Sequence, residues 1–214
     1  MTIALYHSPG ACSMAPHVAL SEIGVDYEPR RVNFAEKQQN SPEYLKINPK
    51  GRVPVLLIDG FVITEVPAIL TYLAQRFPQA NLLPAGGEAM GRCLEWLGYG
   101  SSTVHPAYAH LRRPERYTPE APAFPAMQER GESSFMDSIA FIDSKLAGKQ
   151  FAAGDAYSIA DAYLLVFFGW ANGLKKHNMA EKFPNYSAVA RRVLARPAVQ
   201  RVIELEKMQE RYTF

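Results

Sequence analysis

Along the first 80 residues, short apolar runs alternate with polar turns rich in Pro and Gly. Ile3-Ala4-Leu5-Tyr6, stopped by His7-Ser8-Pro9-Gly10, predicts a buried strand entering a loop. A helical pattern runs from Ser13 to Ile23, with Pro16 tolerable in its first turn and Gly24 as its stop. Tyr27 to Val32 predicts a second strand, which Pro29 assigns to a sheet edge. Ser41-Pro42-Glu43 is a helix start, with Ser as N-cap and Pro in the first helical position, and Asn48-Pro49-Lys50-Gly51 ends that helix. Val53–Ile58 and Phe61–Thr64 flank Asp59-Gly60, a strong hairpin signal. After Thr64-Glu65, apolar residues at Ile69, Leu70, Tyr72 and Leu73 predict a helix that lasts to Phe77-Pro78. The order β-α-β-α-β-β-α gives a mixed four-stranded sheet with helices packed on it.

Residues 78–87 (PQANLLPAGG) carry no period and read as a linker. Everything beyond reads as helix. A long pattern from Glu88 to about Leu111 is interrupted by Pro106, and a Pro-rich loop follows. Ala126–Ala147 carries Met127, Phe135, Ile139 and Ile142 as a stripe. Ser158-Ile159-Ala160-Asp161 opens the most apolar helix, with Ser and Asp spaced as in a capping box, so this helix belongs at the centre of its domain. Two further helices, near Pro184–Leu194 and Ala198–Glu210, close the chain. The reading is two domains: α/β over residues 1–80 and all-α over 88–214.

Composition narrows the function. Of 214 residues, 48% are hydrophobic and 21% charged, enough for a core and unlike a disordered chain. Residues 1–80 hold seven Lys/Arg against seven Asp/Glu, and the remainder sixteen against fourteen, so neither half is a nucleic-acid surface by charge. The longest apolar stretch, Ala162–Ala171, is about half the ~20 residues a membrane-spanning helix needs. Two distant cysteines and no leader pattern point to a reducing, cytoplasmic location.

Three turns carry candidate chemistry. Cys12 precedes a helix whose positive end favours thiolate; the alternative is a small residue buried in a turn. Position 15 is Ala, so a dithiol pair is absent. Val53-Pro54 suits a cis bond that leaves the Val53 backbone to pair with an extended ligand. Thr64-Glu65-Val66-Pro67 turns a strand into a helix, so its amides suit a carboxylate and Glu65 an ammonium; a simple helix cap is the alternative.

Tyr-x-x-Pro-Gly-Ala-Cys-Ser (Tyr6–Ser13), Asn-Pro-Lys-Gly-x-Val-Pro (Asn48–Pro54), Thr-Glu before a helix, and Ser-Ile-Ala-Asp-Ala-Tyr (Ser158–Tyr163) together resemble the bacterial glutathione S-transferases, the beta class most nearly. The resemblance covers essentially the whole chain. It implies a thioredoxin-like N-terminal domain, an all-helical C-terminal domain and a homodimer that conjugates glutathione to a small hydrophobic electrophile. By the same resemblance, Cys12 faces the glutathione sulfur and Val53 pairs with its cysteinyl backbone, with Pro54 cis. Glu65 and the amide of Val66 hold the γ-glutamyl end, Lys37 lies near the glycyl carboxylate, and His105 reaches toward the thiol. Tyr6 and Ser13 are rival thiol activators. No metal is implied: His7, His17, His110 and His177 match no metal-ligand spacing with Cys12 and are read as surface or core.

The chain departs from that family's pattern at Val66, Gly98 and Pro106, each lacking a polar group that relatives carry. Two alternatives to conjugation therefore stay open: a Cys12-dependent glutathione thiol transferase or reductase, and a non-catalytic binding module. Tyr99, Tyr108, Tyr117, Phe168 and Trp170 are candidates for an acceptor wall, most of them more simply read as core. Arg112, Arg113 and Arg116 are read as a solvated loop face, with a preference for acidic substrates as the lesser reading.

Overall fold

The computed structural model describes all residues, 1–214. The N-terminal part runs β1 (Ile3–His7), α1 (Met14–Ile23), β2 (Glu28–Arg31), α2 (Pro42–Ile47), β3 (Val55–Ile58), β4 (Phe61–Thr64) and α3 (Val66–Arg76). The sheet order is β2-β1-β3-β4, with β1 and β2 parallel and the other pairs antiparallel. Strand alternation sorts the side chains. Ile3, Leu5, Leu56 and Ile58 enter the main core, while Val55 joins Val32, Tyr44 and Val53 in a smaller one against which Tyr6 packs. Asp59 and Gly60 both take positive φ, at 47° and 86°, which turns the hairpin as Asp-Gly predicts. Ser41 accepts the Tyr44 N–H at the start of α2, and Gly24 closes α1 in a left-handed conformation.

The C-terminal part holds α4 (Gly87–Tyr99), α5 (His105–Arg112), α6 (Phe124–Lys145), α7 (Ile159–Gly173), the four-residue α8 (Met179–Lys182), α9 (Pro184–Leu194) and α10 (Pro197–Glu206). The interruption expected at Pro106 is a widened π-helical segment, Gly100–Val104, joining α4 to α5. Proline has no N–H and its ring crowds the carbonyl four residues back, and a wider turn just before Pro106 accommodates both. Gly100 is needed here for space: a Cβ would stand 2.8 Å from the Tyr163 ring and 2.9 Å from Phe167. α7 is buried on almost every side. Its opening carboxylate, Asp161, accepts hydrogen bonds from the Ser158 N–H and Oγ–H and from the Ala152 N–H. Burial nonetheless pushes Asp161 up to about 6.

The two parts share one continuous core, from Leu5 and Met14 to Trp96, Phe167 and Val199. Leu82, in the expected linker, is buried in it, and its carbonyl accepts the Ile159 N–H. Buried Glu206 of α10 reaches His17 Nδ1 at 2.8 Å and the Gly10 N–H at 2.9 Å, and lies 3.3 Å from His7 Nδ1. Glu22 and Arg196 form a two-point ion pair at 2.6 and 2.8 Å. Trp170 of α7 donates to the Gly10 carbonyl at 2.9 Å. The loop before α1 is thus fastened from the helical side, which fixes where Cys12 sits. No helix is long and apolar enough to cross a membrane.

Candidate active site

A cleft of about 360 Å³ opens between the sheet domain and the helices. Cys12, Val53, Pro54, Glu65 and Val66 line it from one side, His105 from the other. These six residues therefore converge although three separate loops and α5 supply them.

Cys12 follows the bend Ser8–Ala11 and is 7% exposed. Its thiol donates to the Val53 carbonyl at 3.6 Å. Burial pushes it up to about 12; its own backbone N–H, Arg116 and Arg52 pull the other way, and Glu65 adds to the rise. The helix terminus expected to favour thiolate is present, but desolvation outweighs it, so Cys12 is a thiol at neutral pH. The Val53–Pro54 bond is cis, and the Val53 N–H has no partner in the protein. Arg52 just before it has its carbonyl held by the Tyr44 hydroxyl and the Asn48 amide, at 2.8 and 2.7 Å.

Glu65 turns β4 into α3 with φ at 71°, a conformation costing non-glycine residues about 1–3 kcal/mol and concentrated at functional sites. Its carboxylate is mostly exposed and pairs with Lys50, which also donates to Thr64 Oγ1 at 2.6 Å. The Val66 amide opens the first turn of α3, where backbone N–H groups are free to receive an anion. His105 packs edge-on to Trp170 with ring centres 5.0 Å apart. Burial, then the charges of Arg116 and Arg52, push it down to about 4, so its imidazole is neutral at physiological pH.

Three residues singled out in the sequence are not brought to the cleft. Tyr6 points to the opposite sheet face, where its hydroxyl accepts from Arg30 at 2.7 Å and its ring packs on Tyr44. Ser13 is fully buried, its Oγ donating to the Ser8 carbonyl and accepting the Ser8 N–H. Lys37 is exposed in a left-handed turn ahead of a short 3-10 helix. The cations that do line the cleft are Lys50, Arg52, Arg112, Arg113, Arg116 and Arg211. Arg112, Arg113 and Arg116 are exposed, as a solvated loop face requires, and they also line the cleft, which the sequence does not show. Arg211 enters from a 3-10 turn after α10 that carries no periodic signal.

Of the five aromatic candidates, Tyr108, Tyr117 and Trp170 line the cleft. Tyr108 and Trp170 are stacked, 4.3 Å apart and 16° from parallel. Phe168 is buried against Tyr186, and Tyr99 faces a second hollow with Trp96 and Phe141. His7, His17 and Glu206 place potential metal-ligand atoms within 4.8 Å of one another. Both Glu206 oxygens are already committed, to His17 and to the Gly10 N–H, so the trio works as an interdomain contact.

Residues 1–75 match the family model for the N-terminal domain of glutathione S-transferase, and residues 109–197 that for its C-terminal domain. The chain is 32% identical to glutathione S-transferase GstA of Escherichia coli O157:H7 over 208 residues, covering 96% of this chain and 99% of that protein. Among solved structures, a glutathione transferase homologue from Sulfitobacter with bound glutathione superposes with a TM-score of 0.90 at 32% identity, covering 95% of this chain and 98% of the other. A sphingomonad glutathione S-transferase complexed with glutathione is 37% identical with a TM-score of 0.82, again covering 95% and 98%.

Proposed function

The chain belongs to the glutathione S-transferase family, and from that premise we propose that this cleft binds glutathione along its sheet-domain wall and directs its thiol at a hydrophobic electrophile. The observation that carries the reading is the convergence of the unpaired Val53 N–H, the amide turn at Glu65-Val66 and the start of α1 at Cys12, on a cleft that His105 also lines. Val53 pairs with the cysteinyl backbone, Val66 N–H receives the γ-glutamyl carboxylate, and Glu65 receives its ammonium. Arg52, rather than Lys37, supplies the cation on the glycyl side.

A sulfur beside Cys12 meets the same charges that Cys12 does. Glu65 opposes its thiolate, while Arg116, Arg52 and the start of α1 favour it. Cys12, held protonated, donates its S–H to that thiolate; the departing proton goes to solvent, because an imidazole pushed down to about 4 is too weak a base to keep it. The protonation state of Cys12 supports conjugation over a mixed-disulfide mechanism, because a thiol at about 12 is a poor nucleophile at neutral pH. Homodimer formation is proposed on two exposed apolar groups, Phe61 and Val62 on β4, and Leu94 with Phe141 on the helical side. Both cysteines are free, consistent with a reducing cytoplasm.

The test is calorimetric titration of the reduced protein and of Cys12→Ala with glutathione, alongside conjugation rates. We expect saturable binding by both, with kcat/KM for conjugation in Cys12→Ala reduced about tenfold or less, the scale of one lost hydrogen bond. At pH 8, Cys12 should resist alkylation by iodoacetamide. A pH profile of kcat/KM should show no limb from His105 above about pH 5, since that imidazole is already neutral there. Rapid alkylation of Cys12, or complete loss of conjugation with the cysteine, would favour the mixed-disulfide reading instead.

A further inference from the structure

α5 presents a graded wall to the cleft. His105, Tyr108, Ala109 and Arg112 all line it, at the i, i+3, i+4, i+7 spacing of one helix face. At 1.5 Å per residue the wall runs about 10 Å, from the imidazole near the thiol position, across an aromatic surface, to a guanidinium. Tyr108 is backed by stacked Trp170, so the middle of the wall is flat. At the far end, the chain after α5 adds Arg113 and Arg116. The Arg113 guanidinium stands 6.0 Å over the ring of Phe34, a residue of the sheet domain, and so bridges the cleft mouth.

None of Arg112, Arg113 and Arg116 takes part in an ion pair. The single carboxylate lining the cleft, Glu65, is engaged by Lys50. Three exposed cations thus line the same end of the cleft with no protein carboxylate paired to any of them. Burial and the neighbouring charges of Arg52 and Arg113 already disfavour the charged form of Arg116, a cost that a bound anion removes.

We propose that the acceptor substrate is an anionic electrophile: a flat unsaturated or aromatic body lying on Tyr108 and Trp170, with a carboxylate or sulfonate held by Arg112, Arg113 and Arg116 about one ring's length from the carbon attacked. The proposal rests on the transferase reading above and narrows it. Guanidinium groups suit such an anion because their planar donors match carboxylate geometry two at a time. The reaction keeps its ordinary balance. The sulfur lone pair forms the C–S bond and the thiol proton passes to solvent; on an aromatic acceptor the leaving group departs with the electrons of the bond it breaks, and on an unsaturated one the displaced π electrons take up a proton from solvent.

The experiment compares 4-fluoro-3-nitrobenzoate with uncharged 4-fluoro-3-nitrobenzamide, each kcat/KM divided by its uncatalysed rate constant with glutathione. In the wild-type protein we expect the anion to be preferred at least tenfold, with the preference falling as salt rises. In the triple variant Arg112→Gln/Arg113→Gln/Arg116→Gln the preference should collapse toward one. Catalysed turnover of both probes with a wild-type ratio near one leaves the transferase reading standing and overturns the anion assignment. A large rise in KM for glutathione in the triple variant, with the probe ratio unchanged, assigns the arginines to glutathione and also overturns it. No glutathione-dependent turnover of either probe overturns both readings together.

Discussion

Glu206→Ala is expected to lower the unfolding free energy by about 3–5 kcal/mol, the range for removing one partner of a buried, hydrogen-bonded charge group. Glu206 is 3% exposed and joins His17, His7 and the Gly10 amide. Its removal strands the Gly10 N–H and the His17 ring in a space closed to water. Burial tends to raise the Glu206 carboxyl, but the bonds from His17, His7 and Gly10 outweigh it, so it is held below its ordinary value. The sign follows: a carboxyl depressed by folding contributes stability above its unfolded range and loses it as pH falls through the folded value. Wild-type stability should therefore decline on acidification, and the variant should show a shallower decline. Urea denaturation at several pH values reads both effects. A loss under about 1 kcal/mol, or an unchanged pH slope, would mean that the contact is not what holds the loop before Cys12.

The second large effect is on binding. Glu65→Ala should raise KM for glutathione about 10- to 100-fold with kcat changed much less, because a charge-assisted hydrogen bond contributes roughly 1.5–3 kcal/mol and this one is made equally in ground and transition states. Lys50, which pairs with Glu65, also loses its partner, so Lys50→Met in the Glu65→Ala background separates the two roles. An unchanged KM would place the γ-glutamyl amine elsewhere. The position is demanding in its own right: Glu65 adopts φ at 71° while its carboxylate stays exposed to the cleft.

The site was legible where its signals are local. Val53-Pro54, Glu65-Val66 and Cys12 each sit at a turn whose chemistry can be read within a few residues, and each lines the cleft. What escaped was set by contacts remote in sequence. The turn before α1 is compatible with Cys12 either as a thiolate or as a small buried residue, and burial in the core, 7% exposed, decides for the thiol. Lys37 is a reasonable cation by position, yet it does not line the cleft although Phe34 of the same turn does, and Arg52 and Arg116 stand there instead.

The sequence by itself determined the order of elements, the hairpin, the helix caps and the two-part architecture, because hydrophobic period, proline, glycine and capping residues act over one or two turns of chain. Only the tertiary structure decided that the exposed Arg112, Arg113 and Arg116 line a cleft, that Tyr6 and Ser13 are turned away from it, and that His17 finds Glu206 across 189 residues. Those outcomes depend on which surfaces meet when the helical half packs on the sheet. Solvation and pairing are properties of that meeting: a charge, a thiol or an imidazole takes its protonation state and its partner from groups that the local sequence does not contain.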